Sequence, residues 1–307
     1  MSIIVENLSK HFGAQHAVDS ISFKAKQGEI VGFLGPNGAG KSTTMKMICG
    51  YLRPTSGTAS VMGYDIASES LEVRKRIGYL PEHNPLYLDM YVREYLEFVG
   101  SIHKMKNVKQ RIDELIEITG LEKEQHKLIG MLSKGYRQRV GIAQAIIHDP
   151  AVLILDEPTS GLDMNQLDEI RNLIRTLGKE KTVIFSSHIM QEVQALCSRV
   201  IIINDGSLVA DDPISRLQER MQGGFRIFVE WEKAPRDEGG LKGLKGVTHI
   251  ETKGNISTFT IRGQHDVRGD IFRAAVSQGL VILEMKREEV NMETVFRQLT
   301  KNNPAYV

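Results

Sequence analysis

Cysteine is scarce. Cys49 and Cys197 stand far apart, with no CxxC and no histidine–cysteine cluster. Cysteine usage therefore supports neither a disulfide scaffold nor a zinc site, and both thiols are expected to be free and buried in a reducing compartment. An excess of either charge is lacking too, with 39 Lys and Arg against 38 Asp and Glu, a net +1. That balance disfavours a chain whose main task is gripping nucleic acid. The densest basic stretches, Arg74-Lys75-Arg76 and Lys104 to Arg111, are interleaved with apolar residues and read as solvated helix faces. No apolar run approaches the roughly 18 residues needed to span a bilayer. The start, MSIIVENLSK, lacks the basic stretch and apolar core of a signal peptide. The chain is expected not to cross a membrane.

What is present is ordinary globular composition, 41% hydrophobic and 25% charged. At roughly 150 residues per domain the length suggests about two units. Short aliphatic strands alternate with helical segments from residue 1 to about 222, as at Ile30 to Leu34, Val152 to Leu155, Thr182 to Phe185 and Val200 to Ile203. Continuous aliphatic runs mark strands buried on both faces, the habit of a mainly parallel sheet flanked by helices. A helical insert interrupts the rhythm at about 85–148, where Val92, Tyr95, Leu96 and Val99 fall at i, i+3, i+4 and i+7. Gly223-Gly224 marks a boundary. Beyond it, over 223–307, strand Phe225 to Trp231, a short helix near Asp237 to Lys242, strands Val247 to Thr252 and Ile256 to Ile261, helix Val267 to Gln278, strand Leu280 to Met285 and a final helix Met292 to Thr300 are predicted. Their βαββαβ order fits a small ferredoxin-like α+β layer.

Gly35-Pro36-Asn37-Gly38-Ala39-Gly40-Lys41-Ser42 matches G-x-x-x-x-G-K-[ST] in full, with strand Ile30 to Leu34 before it and a helix-compatible run, Ser42 to Cys49, after it. Glycines let backbone N–H groups curl around phosphate oxygens at a helix N-terminus. Lys41 would reach the β- and γ-phosphates, the Ser42 hydroxyl would ligate Mg²⁺, and Thr43 would add a hydroxyl near the α-phosphate. Further on, Val152 to Leu155 ends in Asp156-Glu157, two carboxylates at the C-terminal end of a buried strand, where open α/β sheets bind ligands. Asp156 would hold Mg²⁺ through a water. Glu157 is the candidate general base, or the group that orients the attacking water. Taken alone, the pair also fits an acidic cap on the next helix.

Leu132-Ser133-Lys134-Gly135-Tyr136-Arg137-Gln138-Arg139 opens an amphipathic helix for which Ser133 is a good N-cap. Together with this segment the sequence closely resembles the ABC-type ATPases over about residues 2–222. LSKGYRQR looks like their signature, Ser160-Gly161-Leu162-Asp163 like the D-loop, and Ser187-His188 like the switch histidine. Phe12 stands where the family places an aromatic that stacks on adenine, and Gly78-Tyr79-Leu80-Pro81-Glu82 where it places the Q-loop. The resemblance implies a P-loop α/β fold and ATP with Mg²⁺ as ligands. It also implies a head-to-tail homodimer in which Ser133, the Gly135 N–H and Asp163 face the partner's nucleotide and His188 contacts the γ-phosphate. Two segments depart from the common pattern. Lys134 and Tyr136 replace a glycine and the glutamine of LSGGQ, and Lys134 either adds charge near phosphate or points to solvent. Glu82 replaces the Q-loop glutamine and can still meet Mg²⁺ or its waters. Both departures resemble the single-cassette ATPases of drug-resistance and sodium-export (ABC-2) type, and Asn165-Gln166-Leu167 is similar to the gliding-motility-associated branch.

The resemblance implies the ATP-hydrolysing subunit of a membrane exporter, cytoplasmic and peripheral on the inner face of the membrane, joined to integral permease subunits near Tyr87 to Tyr95. The alternative is a soluble ABC-type ATPase acting on nucleic acid or ribosomes, which the neutral charge and single cassette disfavour. The 223–307 segment carries no chemical motif and is expected to brace or regulate the dimer. Its His249 and His265 are isolated.

Overall fold

The computed structural model describes residues 1–221, 224–235, 239–262 and 265–289, with 293, 296 and 300 besides. Met1–Ile214 builds one compact unit and Ser215–Leu299 a second.

The first unit starts with an antiparallel hairpin, β1 (Ile3–Phe12) and β2 (Gln15–Ala25), turning at Gly13 and Ala14. Here the expected strand–helix alternation from residue 1 is corrected. Burial along both strands is irregular but one-sided, with Ile3, Val5, Leu8, Ile21 and Phe23 inside, so this is a half-solvated sheet and not a parallel core. β3 (Ile30–Leu34) and α1 (Lys41–Ile48) follow, then β4 (Ser56–Val61) and β5 (Tyr64–Asp65), which complete a four-stranded sheet in the order β2-β1-β4-β5.

α2 (Ser70–Arg76) and β6 (Ile77–Leu80) lead into the insert, α3 (Val92–Ile102), α4 (Val108–Thr119) and α5 (Lys134–Ile146). The alternation then resumes with β7 (Val152–Asp156), α6 (Met164–Gly178), β8 (Thr182–Ser187), α7 (Met190–Leu196), β9 (Arg199–Asn204) and β10 (Ser207–Pro213). The second sheet runs β10-β9-β3-β8-β7-β6, parallel except for edge strand β10. Every residue of β7 and β8 is buried, as continuous aliphatic strands require when both faces are covered. Ile3 and Val5 of the first sheet share one core with Val31, Ile154 and Ile201 of the second and Met45 and Ile48 of α1. That packing fixes the α1 N-terminus against the ends of β3 and β7.

Arg139 of α5 is one of the insert's polar ties. Its guanidinium donates to the Thr119 carbonyl at 2.9 Å and pairs with Glu169 of α6.

α8 (Ile214–Met221) opens the second unit, followed by β11 (Gly224–Trp231), α9 (Gly239–Lys242), β12 (Val247–Lys253), β13 (Ile256–Arg262), α10 (Arg268–Ser277) and β14 (Ile282–Glu289). Its sheet is wholly antiparallel in the order β12-β13-β11-β14. Alternate residues of β11, namely Phe225, Ile227, Val229 and Trp231, pack with Leu241, Val267 and Ile271. This is the period-two pattern of a sheet covered on one face. The expected final helix falls largely outside the described residues. Among the described residues no helix is long and apolar enough to cross a membrane.

Candidate nucleotide site

The loop between β3 and α1 is shaped by close approach. A Cβ on Gly35 would lie 2.4 Å from the Ile203 carbonyl oxygen, and one on Gly40 2.4 Å from that of Ala17. Gly40 is also the N-cap of α1 at φ 105°, a left-handed conformation that L side chains resist. The helix thus begins where the loop ends, with Lys41, Ser42 and Thr43 in its first turn and unpaired N–H groups directed outward.

An open cleft of about 340 Å³ lies against this turn. Phe12 and Gln15 from the β1–β2 hairpin border it, with Asn37, Gly38, Gly40, Lys41, Ser42 and Thr43 from the loop and helix, and Glu82 and Glu157 beyond. Half of the Phe12 surface is exposed, and the Lys10 ammonium lies 5.2 Å from its ring centre. An aromatic ring left uncovered at the mouth of a polar cleft is available for stacking.

At the floor, Lys41 Nζ donates to the carbonyls of Gly35 at 2.8 Å and Pro36 at 3.1 Å and stands 3.3 Å from Glu157 Oε1. That last contact lacks the alignment of a hydrogen bond, so the buried Oε1 keeps an unused acceptor. The other oxygen, Oε2, meets His188 Nδ1 at 2.9 Å. Glu157 is not a helix cap: α6 starts seven residues on, capped by Asp163, whose Oδ1 accepts from Gln166 N at 2.9 Å. Instead the chain bends at the end of β7, with Glu157 at φ 50°. The bend brings its carboxylate to Lys41. Ser186 pins both residues, donating to Asp156 Oδ1 at 2.6 Å and accepting from Glu157 N at 2.9 Å.

Ser133, Gly135 and Asp163 do not line this cleft. They border a second one of about 230 Å³ with Tyr136, Arg139 and Gln166. Ser133 caps α5 by accepting from Tyr136 N. Lys134 folds back over the tight turn at Gly161, where an added Cβ would lie 2.3 Å from its ammonium. Its side chain is exposed, the solvent-facing one of the two directions open to it from sequence.

The model of the ABC transporter family matches residues 18–160. The chain is 36% identical to the bacitracin transport ATP-binding protein BcrA of Bacillus licheniformis, across 97% of this chain and 98% of the relative. The chain belongs to the ABC transporter family. It is one of the family's ATP-binding subunits, an ATPase. A second relative, the linearmycin resistance ATP-binding protein LnrL of Bacillus subtilis, is 33% identical over 96% of this chain and 97% of its own length. Among solved structures, the ATP-binding cassette MJ0796, dimeric and bound to ADP and Pi in a post-hydrolysis state, superposes with a TM-score of 0.63 at 25% identity. It covers 69% of this chain and 98% of the cassette. The P-loop α/β fold expected from sequence is the fold of this ABC cassette.

Two residues of the site region escaped sequence reasoning. Glu192 on α7 is buried, and its Oε2 accepts from both Thr159 Oγ1 at 2.7 Å and Ser187 Oγ at 2.6 Å. One carboxylate thus holds the segment after Glu157 and the residue before His188. A glutamate on the apolar stripe Met190, Val193, Leu196 was the available signal. Asn84, two residues after Glu82, donates to the Arg137 carbonyl of the signature helix at 2.9 Å. Nothing local in the sequence marks that pairing.

Proposed function

We propose that the chain powers an export-type ABC transporter as a head-to-tail pair, each copy completing the other's ATP site. The observation that carries this reading is the division of its motif residues between two clefts. Phe12, the Gly35–Thr43 loop, Glu82, Glu157 and His188 gather at one, while Ser133, Gly135 and Asp163 gather at the other. Two copies related by a twofold axis would oppose the first cleft of one to the second cleft of its partner.

In this arrangement Phe12 stacks on the base, the loop N–H groups and Lys41 hold the phosphates, and Thr43 adds a hydroxyl. Ser42 and Glu82 border the cleft and Asp156 lies buried at the end of β7 beside Glu157; these are hard oxygen donors, and this set fits Mg²⁺. Bound there, the ion would neutralise charge on the β- and γ-phosphates. Water attacks the γ-phosphorus, the bond to the bridging oxygen breaks, and Glu157 Oε1 takes the water's proton. His188, hydrogen-bonded to Oε2, keeps that carboxylate aimed and presents its ring to the γ-phosphate. From the partner, Ser133 and the Gly135 N–H bring the positive end of α5 to the same phosphate, and Asp163 crosses between the copies. Losing the γ-phosphate removes these contacts and lets the pair open.

The permease would dock on the insert. Tyr87, Leu88, Tyr91, Phe98 and Ile102 are exposed there, with Tyr87 packed at 5.6 Å on Phe98. Such a docked subunit lies on the inner face of the membrane. Service in gliding motility rests only on sequence resemblance, including Asn165-Gln166-Leu167. Action on nucleic acid or ribosomes gains no support from full-length relatives named for transport and resistance.

Glu157→Gln tests the reading. ATP binding is expected to persist, turnover to fall about 10²–10⁴-fold, and light scattering to show a dimer in Mg·ATP. Wild-type turnover in that variant removes Glu157 from the chemistry, and a monomer in Mg·ATP sinks the paired site.

A further inference from the structure

The β1–β2 hairpin carries a group of side chains that the nucleotide site does not use. His11 and His16 face each other across the hairpin as register partners, their rings stacked 3.8 Å apart at 12°. Directly opposed residues put Cβ atoms about 5 Å apart, close enough for both imidazoles to reach one ion. Plain alternation would send Asp19 to the opposite face from His16. However, the register passes from His11↔His16 to Lys10↔Val18, so β2 holds one extra residue at Ala17. This bulge returns Asp19 to the side of His16. One ligand-capable atom from each of His11, His16 and Asp19 lies within 4.8 Å of the others. His11 Nε2 is buried with no hydrogen-bond partner, an unusual cost for a polar atom beside a water-exposed hairpin. The backbone beneath is held: His11 N donates to Thr55 Oγ1 at 3.0 Å and Asp19 N to the Gly206 carbonyl at 2.8 Å. The neighbouring cation Lys10 is committed elsewhere, donating to the Arg53 carbonyl at 2.8 Å.

We propose that His11, His16 and Asp19 form a binding site for a divalent transition-metal ion of the zinc class. Two imidazoles and one carboxylate are a borderline-soft donor set that suits Zn²⁺, Ni²⁺ or Cu²⁺ over Mg²⁺ or Ca²⁺. The three ligands leave a fourth position for water. The side chains need only rotate from their stack to bring donor atoms to the roughly 2 Å that zinc requires. The ion would staple the two strands one residue from Phe12.

The test uses the full, tag-free chain stripped with chelator, without nucleotide. Zinc is titrated in competition with a chromophoric indicator, and Co²⁺ is added separately to read the ligand field. Wild type is expected to take up one Zn²⁺, to show Co²⁺ visible bands without a thiolate charge-transfer band, and to unfold at higher temperature with zinc. His16→Gln and Asp19→Asn are expected to weaken zinc binding about tenfold or more, and both to unfold like wild type in chelator. Zinc uptake by the His11→Gln/His16→Gln double variant equal to wild type overturns the site. So does a thiolate band, which would place the ion on Cys49 or Cys197, or failure of wild type to compete with the indicator.

Discussion

Glu157 keeps a left-handed backbone at φ 50°, and for a non-glycine residue this costs on the order of 1–3 kcal/mol. What offsets the strain is a set of short contacts around it: Ser186 below, His188 at one oxygen and Lys41 at the other. Glu192 supports the same region one layer further out. Glu192→Ala leaves the Thr159 and Ser187 hydroxyls buried without their acceptor. It is expected to cost about 1–3 kcal/mol in urea unfolding and to lower kcat. Glu192→Gln retains one acceptor oxygen and should recover most of both. If the alanine variant loses stability with kcat intact, Glu192 serves packing alone. Gly40→Ala is a sharper test of shape, because its new methyl would meet the Ala17 carbonyl at 2.4 Å in a conformation alanine resists. A fluorescent ATP analogue should lose affinity for this variant far more than for Gly63→Ala, whose added Cβ meets nothing within 4 Å.

Among the elements, α5 is tied to β6 through a histidine. His148 lies just past the helix, its Nε2 3.1 Å from the Ile77 carbonyl and its ring stacked 4.1 Å from His103. Nε2 donates to that carbonyl, so Nδ1 is left buried, bare and without a partner. Burial first, then the neighbouring His103, lowers the His148 pKa to about 4. The unfolded chain takes up this proton below about pH 6.5, the folded chain only near 4, so stability falls as the pH drops between those values. From pH 8 to pH 5 this single group is expected to remove about 2 kcal/mol. His148→Gln should flatten that part of a urea-unfolding profile, and an unchanged slope would place the acid sensitivity elsewhere.

Elements with contiguous signals were legible: β7 as an unbroken aliphatic strand, α3 from its i, i+3, i+4 spacing, the glycine loop between β3 and α1. In the first cleft, Phe12 was placed by resemblance alone and Gln15 carried no signal, whereas Asn37 to Thr43, Glu82 and Glu157 could be named because each sits in a motif of adjacent positions. The β2-β1-β4-β5 sheet, Glu192, and the pairing of Asn84 with Arg137 could not. Thr159 lies 33 residues from Glu192, Arg137 lies 53 from Asn84, and β1 pairs with β4 across the intervening β2, β3 and α1. No local periodicity encodes which strand or helix will come alongside. The His11–His16–Asp19 group was hidden for a related reason, since a one-residue bulge decides which face Asp19 occupies.

At the scale of the molecule, every residue bordering either cleft lies in the first unit, within Met1–Ile214. A chain ending at residue 222 is therefore expected to bind a fluorescent ATP analogue within about twofold of full length, because none of the contacts that hold a phosphate is removed. Loss of binding on truncation would show that the second unit is needed for the first to fold or to hold its loop. The expectation that it braces the dimer is tested separately, by comparing association of full-length and shortened Glu157→Gln in Mg·ATP.

The chain's one tryptophan gives the experimenter an optical handle on this division. Trp231 is buried in the second unit, its indole N–H donating to Ser257 Oγ at 2.8 Å. Excited at the red edge of protein absorption, the molecule should emit from that unit alone. A melt followed by its colour would track the appendage, while circular dichroism averages over both. If the two curves separate, the halves lose structure independently; coincident curves would mean that they melt as one.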